Sequence, residues 1–274
     1  MEPVAIVTGA TRGIGQAVVR ELSRHGLSCI AVGSSWDSAR RVAPGSHLHF
    51  TTHSQRHTAL AVDLAQWPQW TRGTRSRAFV GAVRTTARRG RFSLFPRARR
   101  GQDAQYVNLL VNCAGVTQRA LSVNTPAEVA QRIVNVNLMS MFTLCNVATK
   151  HMIRAGRRRG SSLLEVTPSP CIINVSSLLG ETGHALPGTS VYAATKAAIT
   201  QYTAAIAQET ATWGVRALSI APGVVSDTDM VRGLDQAARE QLVQALMGLP
   251  ECTTEDIARQ VWSMYEGESQ SGSL

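Results

Sequence analysis

Tyr192 and Lys196 stand four positions apart, so on a helix they share a face and can act on one bound molecule. An ammonium beside a phenol favours the phenolate, which lowers the tyrosine pKa and makes its hydroxyl a usable proton donor near neutral pH. Spacing alone would also suit a solvated lysine on an amphipathic helix. Composition adds weight to the first reading, because of the 28 cationic residues only Lys150 and Lys196 are lysine. A chain that otherwise writes positive charge as arginine has placed a lysine beside a tyrosine.

A second chemical element lies at the start of the chain. Thr8-Gly9-Ala10-Thr11-Arg12-Gly13-Ile14-Gly15 is a turn of spacing GxxxGxG between the β-branched run Val4 to Thr8 and a helical pattern through Ile14, Ala17, Val18 and Leu22. Glycines let the backbone turn at positive φ and approach a pyrophosphate, whose charge the N–H groups of a first helical turn favour. An ordinary tight turn could share the motif, but the strand, helix and second strand Leu27 to Val32 around it indicate a dinucleotide site. The second strand ends in Gly33-Ser34-Ser35, where an acidic side chain would bind the ribose of NAD. Hydroxyls there, with Arg12 in the turn, suit the extra phosphate of NADPH/NADP. Asp37 is the competing residue, since a small loop displacement would return a carboxylate to the ribose.

The elements that must hold these residues follow from apolar runs. Ala59 to Leu64, Val107 to Val111, Cys171 to Val175 and Val215 to Ala221 read as further strands. Helical stretches lie at about Pro126 to Ile153, Val191 to Thr212 and from Gln236 onward. Apolar strands without polar alternation, separated by helices, indicate an α/β, doubly wound parallel sheet of Rossmann-like type with helices on both faces. One domain spans 1–274, interrupted by an irregular arginine-rich insertion at about 67–101.

That insertion explains the net charge of +10. No acidic residue lies between Asp63 and Asp103, and ten arginines lie from Arg72 to Arg100; without them cations and acids balance at 18 each. The bland reading, a loop kept soluble by charge, is favoured over nucleic acid or an anionic membrane, because only Phe79, Phe92 and Phe95 interleave with the arginines. Apolar runs of about seven residues are far short of the ~20 of a membrane span. Five scattered cysteines without a CxxC indicate buried thiols rather than a disulfide framework. His47, His49, His53 and His57 have no cysteine or carboxylate partner at metal-site spacing, so they read as a polar loop and no metal is expected.

Taken in order, Thr8 to Gly15, Asn112-Cys113-Ala114-Gly115, Asn137, Ser177, Tyr192-xxx-Lys196 and Pro222-Gly223 resemble the short-chain dehydrogenase/reductase family over about Pro3 to Met230. The resemblance implies that Tyr192 gives a proton to a carbonyl oxygen and that Ser177, or Ser176 in the alternative register, holds that oxygen. It further implies that Lys196 binds the nicotinamide ribose and tunes Tyr192, and that Asn137 holds a water in a proton relay. Gly9, Gly13, Ile14 and Gly15 would line the pyrophosphate, Asp63 with Leu64 the adenine, and Asn112 and Gly115 the cofactor's flank. The segment after Pro222 and Gly223 would reach the nicotinamide amide, through Thr228.

Within the family, Gly26 to Ile30, Trp67 to Trp70, Tyr106 to Leu110 and Pro187 to Tyr192 are most similar to fungal mitochondrial 3-oxoacyl-(acyl-carrier-protein) reductases. That likeness implies NADPH-dependent reduction of a 3-oxoacyl thioester on acyl carrier protein, in mitochondrial fatty-acid synthesis. Arg154, Arg157, Arg158 and Arg159 would then dock the acidic carrier near the mouth of the site, or simply cap their helix. With the first strand beginning near Val4, no cleavable presequence is visible, so an import signal would be internal or outside this sequence. The chain ends in a Gly/Ser/Glu tail where the family usually has a last strand that builds its tetramer, so that strand is expected to be missing and the homo- or hetero-oligomer to differ. Alternatives are another carbonyl substrate, such as a steroid or quinone, or a cofactor-binding partner subunit without catalysis.

Overall fold

In the computed structural model, residues 2–40, 42, 55, 57–66, 84–85, 106–159, 168–181, 183, 185–246, 251–268 and 272–273 are described. Strand β1 (Pro3–Thr8) is apolar from Val4 to Val7 and buried on both sides, so its backbone groups are satisfied only inside a sheet. It lies between β2 (Ser28–Gly33) and β5 (Tyr106–Asn112), paired parallel to each. The full order is β4-β3-β2-β1-β5-β6-β7-β8, with β3 (Thr58–Ala61), β4 (Arg84–Thr85), β6 (Cys171–Val175), β7 (Arg216–Ala221) and β8 (Gly272–Ser273). Every pairing is parallel except that of β3 with β4. The doubly wound sheet expected from the strand runs is present.

Alternation along β1 divides the core. Ala5 and Val7 face a layer made by α1 (Gly13–Arg24) and α8 (Thr254–Glu266), through Val18, Leu22, Ile257, Val261 and Tyr265. Val4 and Ile6 face α4 (Ser140–Arg159) and α5 (Ser190–Thr210), through Leu144, Met152, Ile199 and Ile206. Two layers on one sheet bury both faces of every central strand. A third, smaller cluster covers the carboxyl end of the sheet, where Leu178, Tyr192 and Val224 meet Val231 and Leu246 from the region of α6 (Asp229–Arg232) and α7 (Gln236–Ala245).

Several sequence expectations need correction or refinement. The sheet does not stop at β7, because Gly272 and Ser273 pair with Ile220 and Ala221; two small residues carry no apolar pattern by which a strand could be read. The insertion, most of which lies outside the described residues, is not wholly irregular, since Arg84 and Thr85 pair with Ala61 and Leu60. The helix read over Pro126 to Ile153 is α3 (Ala127–Val134), a π-helical turn Asn135–Met139, and then α4. The helical tail is split into α7 and α8. His57 lies in the loop just before β3, as expected, but is buried there: it accepts from Cys29 N–H through Nδ1 at 3.1 Å and faces Ser23 Oγ through Nε2 at 3.1 Å. His47, His49 and His53 lie outside the described residues, and among those described no metal-ligating cluster occurs.

Candidate active site

β1 and β5 leave the sheet side by side at its carboxyl edge, the place where an open α/β sheet binds ligands. The glycine turn fits there by close approach. Gly9 has φ +64°, and a Cβ on it would stand 2.9 Å from Ala114 Cα; one on Gly15 would stand 2.4 Å from the Gly9 carbonyl oxygen. Gly13, at φ +51°, has only the Thr228 methyl within 4 Å, at 3.7 Å, so its face is open. No side chain caps the start of α1 and no acidic residue occupies its first turn. The turn therefore offers uncapped N–H groups to an anion. Thr8 Oγ1 accepts from Ala114 N–H at 3.1 Å, locking the turn to the segment after β5.

At the end of β2, Ser35 exchanges hydrogen bonds with Ser38 and caps α2 (Trp36–Arg40). Ser34 is exposed beside it, and Asp37 is exposed in the first turn of α2. A Cβ on Gly33 would lie 2.5 Å from Thr11 Cγ2, so this strand end abuts the glycine turn one residue before Arg12. Asp63 follows β3 and caps a short turn through Ala65 N–H and Gln66 Nε2. The side chain of Asn112 does not reach the cleft: it turns inward, donating to Asn174 Oδ1 at 2.8 Å and Cys145 Sγ at 3.4 Å. Gly115 does border the cleft, since a Cβ there would lie 3.7 Å from both Asn137 Oδ1 and Lys196 Nζ.

The reacting side chains converge behind this cradle. Ser176 is committed to the backbone of α5, donating to the Lys196 carbonyl at 2.7 Å and accepting from Thr200 Oγ1 at 2.9 Å. The serine hydrogen-bonded to Tyr192 is Ser177. Its loop is held by Ser176 N–H to Ile220 O at 2.7 Å and Leu178 N–H to Pro222 O at 3.1 Å. Gly180 permits the approach: a Cβ on it would stand 2.5 Å from Ala197 N, inside the backbone of α5. Lys196 is buried, donates to Val175 O at 2.8 Å and lies 5.6 Å from the Tyr192 ring centroid.

Burial sets the protonation states. It lowers the Lys196 ammonium to about 8. It raises the Tyr192 phenol, with the Ser177 hydrogen bond opposing. The expectation that Lys196 brings the phenol down is not met, because the ammonium is turned to the Val175 carbonyl and desolvation of the phenolate dominates. Tyr192 thus stands protonated at neutral pH, the form a proton donor needs.

Asn137 lies in the π-helical turn and clamps the loop after β5. Its Oδ1 accepts from Val116 N–H at 2.8 Å, and its Nδ2 donates to Val116 O at 3.0 Å and Thr195 Oγ1 at 3.2 Å. Both amide protons are engaged, so a relay water would sit on the remaining acceptor capacity of this turn. Gln118, unremarked in the sequence, is buried. It accepts from Val191 N–H at 2.7 Å and donates to Ala120 O at 2.8 Å, fixing the first turn of the tyrosine helix. Neither Gln118 nor Gly180 belongs to a pattern that spacing reveals, since each matters only through a non-local contact.

After Pro222 and Gly223, Asp227 accepts from Thr254 N–H at 2.9 Å and Oγ1 at 2.6 Å, anchoring the segment to α8. Thr228 Oγ1 donates to Val225 O at 2.9 Å and its methyl faces Gly13. Asp229 pairs with Arg12 at 3.4 Å across the mouth. The arginines closing α4 are elsewhere. α4 runs back toward the amino edge of the sheet, so Arg157 lies roughly 30 Å along the helix from Asn137 at 1.5 Å per residue. Arg154 and Arg157 are exposed there, and the expected position near the mouth is not the one they take. Another exposed cation, Arg119, lies beside the end of α6, its guanidinium within 3.3 Å of where a Cβ on Gly233 would stand.

The arrangement can bind a dinucleotide along an uncapped glycine turn and present a neutral phenol and a serine hydroxyl to one oxygen. Comparison with known proteins agrees. The family model described as short chain dehydrogenase matches residues 3–78 and 97–239. The 3-oxoacyl-(acyl-carrier-protein) reductase FabG of Pseudomonas aeruginosa is 30% identical over 248 residues, covering 88% of this chain and 80% of that protein. The 3-oxoacyl-(acyl-carrier-protein) reductase of Bos taurus is 29% identical over 239 residues, covering 86% and 81%. Among solved structures, a short-chain dehydrogenase from Sphingobium yanoikuyae in complex with NADPH shares the fold at TM-score 0.69 and 16% identity, over 99% of this chain and 87% of that one.

Proposed function

Because the chain belongs to the short chain dehydrogenase family and is an oxidoreductase of that kind, we propose that it reduces 3-oxoacyl groups on acyl carrier protein with NADPH, in mitochondrial fatty-acid synthesis. The observation that carries the reaction is the meeting of Ser177 and Tyr192 beside buried Lys196, at the open end of the glycine cradle. The substrate class is supported by the curated relatives, and the phosphate-bearing cofactor by Ser34 and Arg12 in place of a carboxylate at the end of β2.

When bound, a reduced nicotinamide supplies hydride to the carbonyl carbon. The protein's part is to hold and protonate the oxygen. Ser177 Oγ and Tyr192 Oη form a pair of hydroxyls for one oxygen, and the neutral phenol gives up its proton as negative charge develops there. The Ser177 hydrogen bond stabilises the phenolate left behind, and Lys196, charged below about 8, would bind the nicotinamide ribose. The Val116–Asn137–Thr195 clamp keeps the facing loop from drifting, which matters because small misplacements of reacting groups cost large factors in rate. Gly9, Gly13 and Gly15 would line the pyrophosphate, and the exposed Arg119 would face an acidic carrier. The α4 arginines can assist only as a distant field that salt screens.

The deciding experiment follows NADPH and NADH oxidation with an acetoacetyl thioester, free and carrier-bound, in wild type and Tyr192→Phe. Turnover with NADPH that Tyr192→Phe abolishes is the expected result. Nucleotide binding without turnover on any 3-oxoacyl thioester would move the reading to another carbonyl substrate. Fractionation of cells expressing the full-length protein tests the mitochondrial assignment, and a cytosolic pool alone would overturn it.

A further inference from the structure

Arg12 precedes the first residue of α1 in extended conformation, φ −162°, and its side chain leaves the turn toward the segment after β7. Its Nη1 meets Asp229 Oδ2 at 3.4 Å, with both side chains largely in water, 71% and 65% exposed. Such a pair is weak and is easily exchanged for a better partner. The carboxylate, by contrast, is placed by the fold. Asp227 is fastened to Thr254 and Thr228 to Val225, and the Thr228 methyl packs opposite Gly13. Asp229 therefore stands at the mouth whether or not Arg12 pairs with it. On the other side of the turn, Gly33 abuts Thr11, so exposed Ser34 is within arginine reach of position 12.

One guanidinium thus serves two anionic positions: the carboxylate of Asp229 at the start of α6, and the ribose phosphate that the Ser34 end of β2 would receive. Resting on the cofactor reading above, we infer that Asp229 is a specificity-determining residue that limits the preference for the phosphate-bearing cofactor by competing for Arg12. A 2′-phosphate must take the guanidinium from Asp229 and gains less than an uncontested arginine would give. A ribose with a free 2′-hydroxyl makes no such demand, so its binding is indifferent to position 229.

Calorimetric titration with 2′,5′-ADP and with ADP, at low salt, reads this directly without turnover. In Asp229→Asn the Kd for 2′,5′-ADP falls about two- to fivefold, the range an exposed ion pair allows, while that for ADP stays put. Asp229→Glu, which keeps the charge, leaves the ratio of the two affinities near wild type, and in an Arg12→Gln background Asp229→Asn loses its effect. No change in the ratio, equal tightening of both nucleotides, or weaker 2′,5′-ADP binding in Asp229→Asn would each overturn the inference. Wild type that binds ADP but not 2′,5′-ADP would overturn the NADPH reading as well, a result distinct from an unchanged ratio.

Discussion

The two ends of the cleft are built on opposite terms. At the reacting end, Ser177, Tyr192 and Lys196 are buried and each is tied to neighbouring backbone or to one another. At the phosphate end, Ser34 and Arg12 stand in water, with one long ion pair from Arg12 to Asp229. Chemistry gains from exclusion of water, which fixes protonation states and strengthens every dipole. Discrimination between cofactors needs no such enclosure, because a charge-assisted contact at an exposed edge is enough to bias one nucleotide over another. Substitutions should therefore act in large steps at the first end and in small ones at the second.

The sharpest break of that contrast is at Tyr192. Tyr192→Phe should lower kcat by about 10²–10⁴-fold, the range for losing a positioned proton donor, while nucleotide titrations remain as in wild type; a loss below tenfold would show that another group supplies the proton. Gly180→Val should come next. Its side chain must enter the backbone of α5, so the serine loop shifts and kcat falls on the order of 10²-fold, as for a misplacement of about 1 Å. Retained activity in that variant would mean the loop is not held against the helix as described.

An alkaline titration tests the reacting end. Lys196 loses its charge above about 8, so kcat/KM should fall on the alkaline side. A profile flat to pH 9.5 would remove the ammonium from the mechanism. Smaller still, Arg119→Glu should raise KM for a carrier-bound substrate several-fold and spare a small thioester, whereas Arg157→Glu should do neither at physiological salt. The mildest effect concerns the framework. Burial lowers the pKa of His57 from 6.5, so the unfolded chain binds the proton first. Stability is then full above about 6.5 and declines as pH falls toward the folded-state value, a slope that denaturant midpoints should show and His57→Gln should lack.

Much of this was readable because it depends on local rules. The GxxxGxG turn needs glycine for reasons of φ and close approach that any such turn would share, and Tyr192 and Lys196 needed only the helical period to be paired. The strands β1, β2, β5, β6 and β7 announced themselves as apolar runs. What stayed hidden depends on partners distant in the chain. Gly272 and Ser273 become a strand only because β7 has a free edge, and Gly180 matters because α5 lies against it. The direction of the Tyr192 shift depends on burial, which spacing does not report. The α4 arginines were misplaced because charge was read without the direction of the helix, and Asp229 went unnoticed because its partner is 217 residues away.

The π-helical turn at Asn135–Met139 takes up one residue more than an α-helical turn would. Removing a single residue there would let ordinary i to i−4 bonding run through, with Met141, Leu144, Ala148 and Met152 still facing the sheet. The cost would fall on Asn137, whose amide is carried by the widened turn to Val116 and Thr195. A one-codon deletion at this place would thus spare the core and undo the clamp.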